Sequence, residues 1–551
     1  MWPGAADPAK VEAVAIDPKG AGTLRDFHYP GRSTVHATRA MAATSHPAAT
    51  LTAIETLRSG GNAVDAAVAA CAVLCVIEPA MTGLGGDCFC LFAPAGGDRV
   101  IALNGSGHAP AAAEAGWFRE HGIAELDPCS AHAVTVPGAV DAWSTLVRDH
   151  GRKSLDELLR PAIAFAEEGF VAHARVAADW AAEESKLLHD ETARERFRPN
   201  GRPVAEGDIF RQPELAGTLR KIAAEGRDGF YTGSVAEDIV ACLRAKGGLH
   251  TLDDFAAQQA EYVEPVSTDY RGYRVHECPP NGVGIITLLI LNMLEALEPP
   301  RDPLSADRMH LFLEAVKLAF RDRNAFVADP RMSDVPVDLL LSKDYARELA
   351  ALIDPKRAAT NLPPAGIPRH EDTTYLCVVD EDGNAISFIN SIFQAFGSGI
   401  LAPKSGVLLQ NRGFGFVLDE RHPNCIAGRK RPMHTIIPAM VTKDGAAVMP
   451  FGVMGGHYQP AGQSWVLSSM LDCGLDVQAA LDLPRLFAFD GKVDLERGVP
   501  EAAAAVLLER GHDVRRIDKP HGGGQAIWVD RERGTLSGGS DPRKDGCALG
   551  Y

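Results

Sequence analysis

The sequence predicts a mixed α/β protein, built either as one large layered unit or as three or four domain-sized units. The chain has 551 residues, of which 46% are hydrophobic and 23% charged, as is typical of globular proteins. Helix and strand patterns are mixed before Thr373, whereas strand patterns and turn signals dominate after it. A Pro-rich loop at 357–372 separates these two regions.

The first region contains the clearest helical signals. After residue 37 the pattern indicates a strand, a helix, a Gly-Gly-Asn break and then the longest apolar stretch of the chain, Ala66 to Ile77. At 12 residues this stretch is too short to cross a bilayer and predicts a buried helix. A glycine-rich turn and another strand follow. Residues 150–260 and 305–351 have mostly helical patterns, and an apolar helix is predicted from about Gly284.

The second region opens with a β-hairpin, "TTYLCVVDEDGNAIS". Tyr375 to Val379 and Ala385 to Phe393 are runs of apolar, aromatic and β-branched residues. Between them, Asp382-Gly383 is a strong signal for a two-residue turn.

The hairpin predicts which hydroxyl groups lie near one another. With a two-residue turn, facing residue numbers sum to 765, which places Ser391 opposite Thr374 and diagonal to Thr373. One bulge would place Ser391 opposite Thr373, with Cβ atoms roughly 4.5–5.5 Å apart. The simplest interpretation is a linker leading into a strand, with an ordinary threonine–serine cross-strand pair.

Composition excludes several classes of function. The net charge of −17 argues against nucleic acid or an acidic membrane surface as the main partner. The first thirty residues contain no apolar signal-peptide region, and the eleven cysteines include no C-x-x-C pair, so we expect free thiols and a cytoplasmic location. The 18 histidines show no spacing typical of metal ligands, and we expect neither metal nor cofactor.

The common catalytic motifs are absent: there is no H-E-x-x-H, P-loop, G-x-S-x-G or complete G-x-G-x-x-G. A threonine becomes a useful nucleophile when a base stands beside its hydroxyl. If Thr373 were an N-terminus, its own α-amine, with a pKa of about 7.7–8.0, could take the hydroxyl proton. This chemistry requires cleavage between Asp372 and Thr373, where a loop meets the start of a strand.

Several motifs support that interpretation together. "GGNAVDAAVAA…GLGGDCF", "DYRGYRVHECPPNGVG", "TTYLCVVDEDGNAIS", "FGSGI", "MGGHYQP", "LDLPRL" and "GGSDPRKDGCALGY" resemble, in order, the γ-glutamyltranspeptidase family of N-terminal-nucleophile hydrolases. The resemblance implies an αββα sandwich of two stacked sheets between helices. It also implies self-cleavage into a large subunit, 1–372, and a small subunit, 373–551, intertwined as one unit, with a dimer of such heterodimers as a further option.

The resemblance also implies roles for particular residues. Thr373 would be the nucleophile for both cleavage and turnover, and Ser391 would orient its hydroxyl. Gly455 and Gly456 would donate backbone N–H groups to an oxyanion hole, where only a bare backbone approaches closely enough.

The sequence departs from the family where members that act on glutathione bind a γ-glutamyl group. Ser106 replaces an arginine, Phe393 replaces an asparagine, and Arg412 and Gly415 replace the polar or acidic pair that binds the substrate amine. Two adjacent serines are also replaced. The predicted substrate-binding residues are Ser106, Asn411, Arg412, His434 and Thr435.

These replacements predict a carboxylate-bearing substrate. A cation at Arg412 would repel an α-amino group and attract an acid. We therefore expect hydrolysis of a small acid-bearing amide through a threonine acyl-enzyme, with oxamate as the lead candidate, as in oxamate amidohydrolases and cephalosporin-acylase-like proteins. The alternatives are a glutathione hydrolase or γ-glutamyltransferase with a rearranged pocket, and an unprocessed, non-catalytic binding relative. Arg412 could instead pair with a nearby acid, such as Asp419 or Glu420.

Overall fold

The computed structural model describes residues 31–359 and 373–551. Its centre consists of two seven-stranded sheets in which every neighbouring pair of strands is antiparallel. With strands numbered in chain order, the first sheet runs in the spatial order β1 (Val35–Ala37), β18 (Thr535–Ser540), β17 (Gly523–Asp530), β13 (Ala446–Met454), β12 (Ala439–Lys443), β9 (Tyr273–Glu277) and β8 (Val266–Tyr270). The second runs β19 (Cys547–Gly550), β2 (Met41–Thr44), β10 (Thr374–Val379), β11 (Ala385–Ser391), β3 (Asp87–Ala93), β4 (Ile101–Gly105) and β7 (Glu261–Val263).

Two smaller sheets lie outside this pair. They comprise β14 (Leu486–Phe489), β15 (Lys492–Leu495) and β16 (Val514–Arg516), and the short pair β5 (Phe170–Val171) and β6 (Ile209–Phe210).

Helices cover the outer face of each large sheet. In chain order they are α1 (Pro47–Arg58), α2 (Ala63–Ile77), α3 (Ala115–Glu120), α4 (Ala139–His150), α5 (Leu155–Glu168), α6 (Ala174–Ala182), α7 (Glu184–Leu187), α8 (Glu191–Phe197), α9 (Pro213–Glu225), α10 (Asp228–Tyr231), α11 (Gly233–Ala245), α12 (Leu252–Ala256), α13 (Gly284–Leu297), α14 (Ala306–Phe326), α15 (Val337–Leu341), α16 (Lys343–Ala350), α17 (Gln459–Cys473), α18 (Val477–Asp482) and α19 (Glu501–Glu509). Helices α13, α17 and α18 pack on the first sheet, whereas α2 and α4 pack on the second.

The inner faces of the two large sheets pack against each other. Strands β10 and β11 contact β13, and β2 contacts β17 and β18. The apolar layer between them includes Met41, Phe89, Tyr375, Ile389, Met440 and Ile527. The structure is therefore the αββα sandwich that the sequence predicts, in the form of one layered unit.

The two predicted apolar helices are present. Helix α2 contains Ala66 to Ile77, and all of its residues are buried. It begins at a capping box in which Asn62 and Asp65 exchange hydrogen bonds with each other's backbone N–H. Helix α13 begins at Gly284, as expected. Within the described ranges, no helix is long and apolar enough to cross a membrane.

The hairpin exists, but its predicted register of 765 is wrong by one residue. Thr374 faces Asn390 and Val379 faces Ala385, so facing numbers sum to 764 and Ser391 lies across from Thr373. The turn is one residue longer than predicted because Asp380 pairs with Asn384 and closes a three-residue loop, 381–383. The Asp380 carboxylate holds this loop by accepting hydrogen bonds from the N–H groups of residues 382 and 384. Gly383 supplies the positive φ of 88° that such a loop needs.

Both sides of residue 373 contribute to both large sheets. In the second sheet, β10 and β11 insert between β2 and β3, which come from the first part of the chain. In the first sheet, β12 pairs with β9, and β18 pairs with β1. Separating the two parts would disrupt both sheets, so a cut in the backbone near residue 373 leaves the fold interlocked.

Candidate active site

Two buried hydroxyl groups meet at the open end of the hairpin. Thr373 immediately precedes β10, and Ser391 is the last residue of β11. Their Oγ atoms are 3.3 Å apart, within hydrogen-bonding distance, and both side chains are almost fully buried. The observed register brings this pair together without a bulge.

Ser391 also receives two N–H donors. The backbone N–H of Phe393 lies 2.9 Å from its Oγ atom, and Nη2 of Arg412 lies 3.4 Å from it. A hydroxyl has two acceptor positions and one hydrogen. Because these two donors occupy acceptor positions of Ser391, they favour Ser391 as the donor in its contact with Thr373. Phe393 has a positive φ of 81°, which is strained for an aromatic residue and directs its N–H back to Ser391.

Gln459 is a second contact of the nucleophile candidate, and it is not among the residues predicted from the sequence. Its Nε2 atom lies 3.4 Å from Oγ1 of Thr373, and its Oε1 atom accepts a hydrogen bond of 3.1 Å from the N–H of Ile437. Gln459 is the first residue of α17 and is fully buried. A sequence signal existed: two glutamines, 459 and 463, lie one helical turn apart shortly after the glycine pair.

Gly455 and Gly456 form the turn that leads into α17. Their φ angles are 123° and 55°, a region that favours glycine. A Cβ atom on Gly455 would lie 2.9 Å from Cα of Gly522, so a side chain there would also clash. The pair thus stands at the N-terminal, positive end of the helix that carries Gln459 to Thr373, a place suited to stabilising a developing negative charge.

Arg412 is a buried cation beside this hydroxyl pair. Its Nη1 atom donates to Oγ1 of Thr435 at 2.8 Å, and its guanidinium lies 4.0 Å from the centre of the Phe393 ring. Burial lowers the pKa of Arg412 to about 9, opposed by the negative charge of Asp87, so the group stays charged at neutral pH.

The predicted alternative for Arg412 is not realised. Asp419 pairs with Arg421, and Glu420 pairs with Arg119. Within the described ranges, no carboxylate lies at ion-pair distance from Arg412. Its Nε–H group also has no hydrogen-bond acceptor there.

His434 and Asp87 form a second buried pair near Arg412. The Nε2 atom of His434 lies 2.9 Å from Oδ2 of Asp87, and its Nδ1 atom accepts a hydrogen bond from the N–H of Ile436. This arrangement defines a neutral imidazole. Burial, together with the charge of Arg412, lowers the pKa of His434 to about 4. The imidazole is thus engaged with Asp87, a residue that was not predicted from the sequence.

The remaining predicted site residues lie in the surrounding network. Ser106 accepts a hydrogen bond of 3.1 Å from Nδ2 of Asn281. Asn411 precedes Arg412 and binds Gln394 and the carbonyl of Pro128 through its side chain. The structure therefore brings Thr373, Ser391, Arg412 and Thr435 together, and places His434, Ser106 and Asn411 in supporting contacts.

One group of side chains has the types that hold metals, but it lies elsewhere. His310 and Glu314 on α14 meet His512, and all three are buried. Lys317 occupies this cluster: its ammonium lies 2.7 Å from Glu314 and 3.3 Å from Nδ1 of His512. The two imidazoles hydrogen-bond each other at 2.8 Å. Hydrogen bonds and the internal ammonium thus satisfy these groups, and none of their contacts reaches Thr373.

Known structures place this fold in one class. The chain superposes on the crystal structure of cephalosporin acylase from Bacillus halodurans with a TM-score of 0.90 and 38% sequence identity, covering 98% of this chain and 99% of that one. The class is that of N-terminal-nucleophile hydrolases with two stacked antiparallel sheets.

Sequence comparisons identify the family. The profile described as Gamma-glutamyltranspeptidase matches residues 49–551. The chain is 38% identical over 524 residues to the glutathione hydrolase-like YwrD proenzyme of Bacillus subtilis (strain 168), covering 93% of this chain and 98% of the relative. It is 36% identical over 529 residues to the oxamate amidohydrolase proenzyme of Klebsiella pneumoniae, covering 93% and 99%. The protein belongs to the gamma-glutamyltranspeptidase family and is a hydrolase, and a threonine nucleophile is typical of this family.

Proposed function

We propose that the chain cleaves itself between Asp372 and Thr373 and then hydrolyses a small amide that bears a carboxylate, with oxamate as the lead substrate. The products of cleavage are a large subunit, 1–372, and a small subunit, 373–551. Proenzymes among the relatives support the processing step. The interlocked sheets support a single functional unit after the cut.

In the first step, Oγ1 of Thr373 attacks the carbonyl carbon of Asp372. The new C–O bond forms as the C–N peptide bond breaks, and the hydroxyl proton passes to the departing amine. Water then hydrolyses the resulting ester, which restores the hydroxyl and leaves Thr373 with a free α-amine. That amine is the base for turnover, because its pKa of about 7.7–8.0 lies near neutral pH.

In turnover, the same oxygen attacks the substrate amide. The α-amine takes the hydroxyl proton and then delivers it to the leaving ammonia or amine. The Gly455 and Gly456 turn supplies donors for the tetrahedral oxyanion, and Ser391 orients the nucleophile from across the hairpin. Water releases the acid from the threonine ester and completes the cycle.

The observation that best supports a carboxylate-bearing substrate is the environment of Arg412. It is a fully buried guanidinium with no carboxylate partner in the described residues, and its Nη2 atom contacts Ser391, which in turn contacts Thr373. A buried charge is unfavourable when no opposite charge pairs with it, and Asp87, the carboxylate whose charge acts on Arg412, is hydrogen-bonded to His434 instead. A substrate carboxylate on Arg412 would neutralise that charge and fix the adjacent carbonyl near Thr373, since the planar guanidinium fork matches a carboxylate.

The substrate is tested by product release from purified protein. We expect ammonia release from oxamate to exceed release from oxamide, its neutral counterpart, and to exceed anilide release from a γ-glutamyl anilide. Faster γ-glutamyl release with no ammonia from oxamate would favour the glutathione hydrolase alternative. A single full-length band on a denaturing gel, without activity on any of these compounds, would favour the non-catalytic alternative.

A further inference from the structure

Two glutamines on α17 hydrogen-bond the backbone of the same residue, Ile437. Gln459 accepts a hydrogen bond from the N–H of Ile437 through Oε1, at 3.1 Å. Gln463, one helical turn later, donates from Nε2 to the carbonyl of Ile437 at 2.6 Å. Both side chains are fully buried. They differ in what the rest of each amide contacts: Nε2 of Gln459 faces Thr373, whereas Oε1 of Gln463 faces Thr287.

The contact with Ile437 decides which end of the Gln459 amide faces Thr373. A backbone N–H can only donate, so the atom of Gln459 that meets it must be the oxygen. The amide NH₂ therefore points to Oγ1 of Thr373, where it can act only as a donor. This assignment follows from the hydrogen-bond network, which is the physical basis for distinguishing amide oxygen from nitrogen.

The nucleophile oxygen then has donors on two sides. Ser391 is favoured as a donor towards it because Phe393 and Arg412 engage acceptor positions of Ser391. Gln459 is the second donor. A hydroxyl that accepts two hydrogen bonds directs its own hydrogen away from both of those neighbours. The same two donors stabilise negative charge on the oxygen as it loses its proton.

We propose that Gln459 is a positioning residue for the nucleophile: its amide N–H fixes Oγ1 of Thr373 and stabilises the oxygen as it gives up its proton to the base. This inference rests on the proposed function. It assigns Gln459 the same part in self-cleavage and in turnover, because both steps use the same oxygen. Gln459 contacts the nucleophile and requires no contact with the substrate.

The competing explanation is that Gln459 only braces the backbone at Ile437. The chain offers a matched control, since Gln463 is equally buried, lies on the same helix and binds the backbone of the same residue. Methionine is similar in volume to glutamine, so Gln459→Met and Gln463→Met each remove the polar contacts with little change in packing. Thermal unfolding of both variants measures how much stability each loses with its buried polar contacts.

The experiment follows self-cleavage in pulse-labelled cell-free synthesis, then oxamate turnover and oxalate binding by the cleaved protein. We expect Gln459→Met to slow cleavage and to lower kcat by about 10- to 100-fold, the scale of a lost hydrogen bond to an oxygen that gains negative charge. The KM and the Kd for oxalate should remain near those of the unsubstituted protein. Gln463→Met should retain both rates despite a comparable loss of thermal stability.

The outcomes separate this inference from the proposed function. Equal cleavage and turnover rates for the two methionine variants would overturn the role of Gln459 and leave the proposed function in place. The same holds if Gln459→Met weakens oxalate binding as much as it lowers kcat. If the unsubstituted chain never cleaves at Thr373, both the proposed function and the role of Gln459 fail.

Discussion

Replacing Arg412 with lysine tests whether this residue recognises a substrate carboxylate. The guanidinium donates to Thr435 through Nη1 and contacts Ser391 through Nη2, while Nε–H has no acceptor in the described part of the chain. Lysine keeps the charge but loses the planar fork, so it cannot serve Thr435, Ser391 and a carboxylate together. The substitution should therefore affect charged and neutral amides unequally.

The size of the effect follows from the hydrogen bonds that lysine cannot make. A hydrogen bond to a charged group contributes about 1.5–3 kcal/mol, and every 1.4 kcal/mol is tenfold, so kcat/KM for oxamate should fall by about 10- to 100-fold. Oxamide has no carboxylate, so it loses no hydrogen bond between substrate and guanidinium, and only the contacts of Arg412 with Thr435 and Ser391 change. Because a lysine ammonium can still donate to one of these hydroxyls, kcat/KM for oxamide should fall by about tenfold or less.

The assay is ammonia release from both amides, with the cleavage state of each protein checked on a denaturing gel. Arg431→Lys is the matched control, because Arg431 is also a buried arginine of the region after Thr373. Its guanidinium pairs with Glu261 and not with Ser391 or Thr435. This variant should leave the ratio of oxamate to oxamide activity unchanged. Equal losses on both amides in a folded, cleaved Arg412→Lys protein would refute the role of Arg412 in binding a carboxylate.

Three further predictions concern the hydroxyl pair, the buried imidazole and the glycine turn. Ser391→Ala should lower kcat by about 10²-fold with a smaller change in KM. Ser387→Ala is the control, because Ser387 lies on the same strand but contacts Tyr375, and it should leave kcat unchanged. Equal losses of kcat for the two variants in steady-state kinetics would contradict the role of Ser391. His434, with its pKa lowered to about 4, stays neutral in the fold, so acid favours the unfolded chain. Because of this group, the free energy of unfolding should fall by about 1.4 kcal/mol for each pH unit between about 6.5 and 4. Urea titrations at several pH values should show that His434→Gln reduces this pH dependence by the amount expected for one proton. Gly455→Ala should block cleavage on a denaturing gel because its Cβ meets Gly522, whereas Gly491→Ala, at a φ of 73° with open space around it, should cleave normally.

Local sequence patterns predicted much of the fold. The buried helix at Ala66–Ile77, the helix from Gly284 and the two strands of the hairpin all follow from apolar periodicity and turn residues. The register of the hairpin could not be predicted in this way, because it depends on hydrogen bonds that the Asp380 carboxylate accepts within the turn. The Asp-Gly signal does not reveal that side-chain contact. The αββα layering came from the resemblance to a family, since the pairing of β10 with β2 spans more than 300 residues.

The site residues also fall into two groups, those that the sequence suggested and those that only the structure shows. The resemblance to a family implied Thr373, Ser391 and the glycine pair as site residues, and the hairpin pattern independently predicted that Ser391 lies near Thr373. The contact between Arg412 and Ser391 was out of reach because it joins a 3₁₀ turn to a strand end through side-chain rotamers. Gln459 was missed because the spacing of two glutamines by one helical turn shows only that they share a helix face, whereas the role of Gln459 depends on which backbone group fixes its amide.

The central claim is that Thr373 is both the site of cleavage and the group that performs it. The most direct measurement is the intact mass and N-terminal sequence of the fragments from purified protein, in parallel with Thr373→Ala and Thr373→Ser. We predict a small fragment that begins "TTYLCVVD", no cleavage in Thr373→Ala and slower cleavage at the same bond in Thr373→Ser. A small fragment that begins at another residue, or efficient cleavage of Thr373→Ala, would contradict the account.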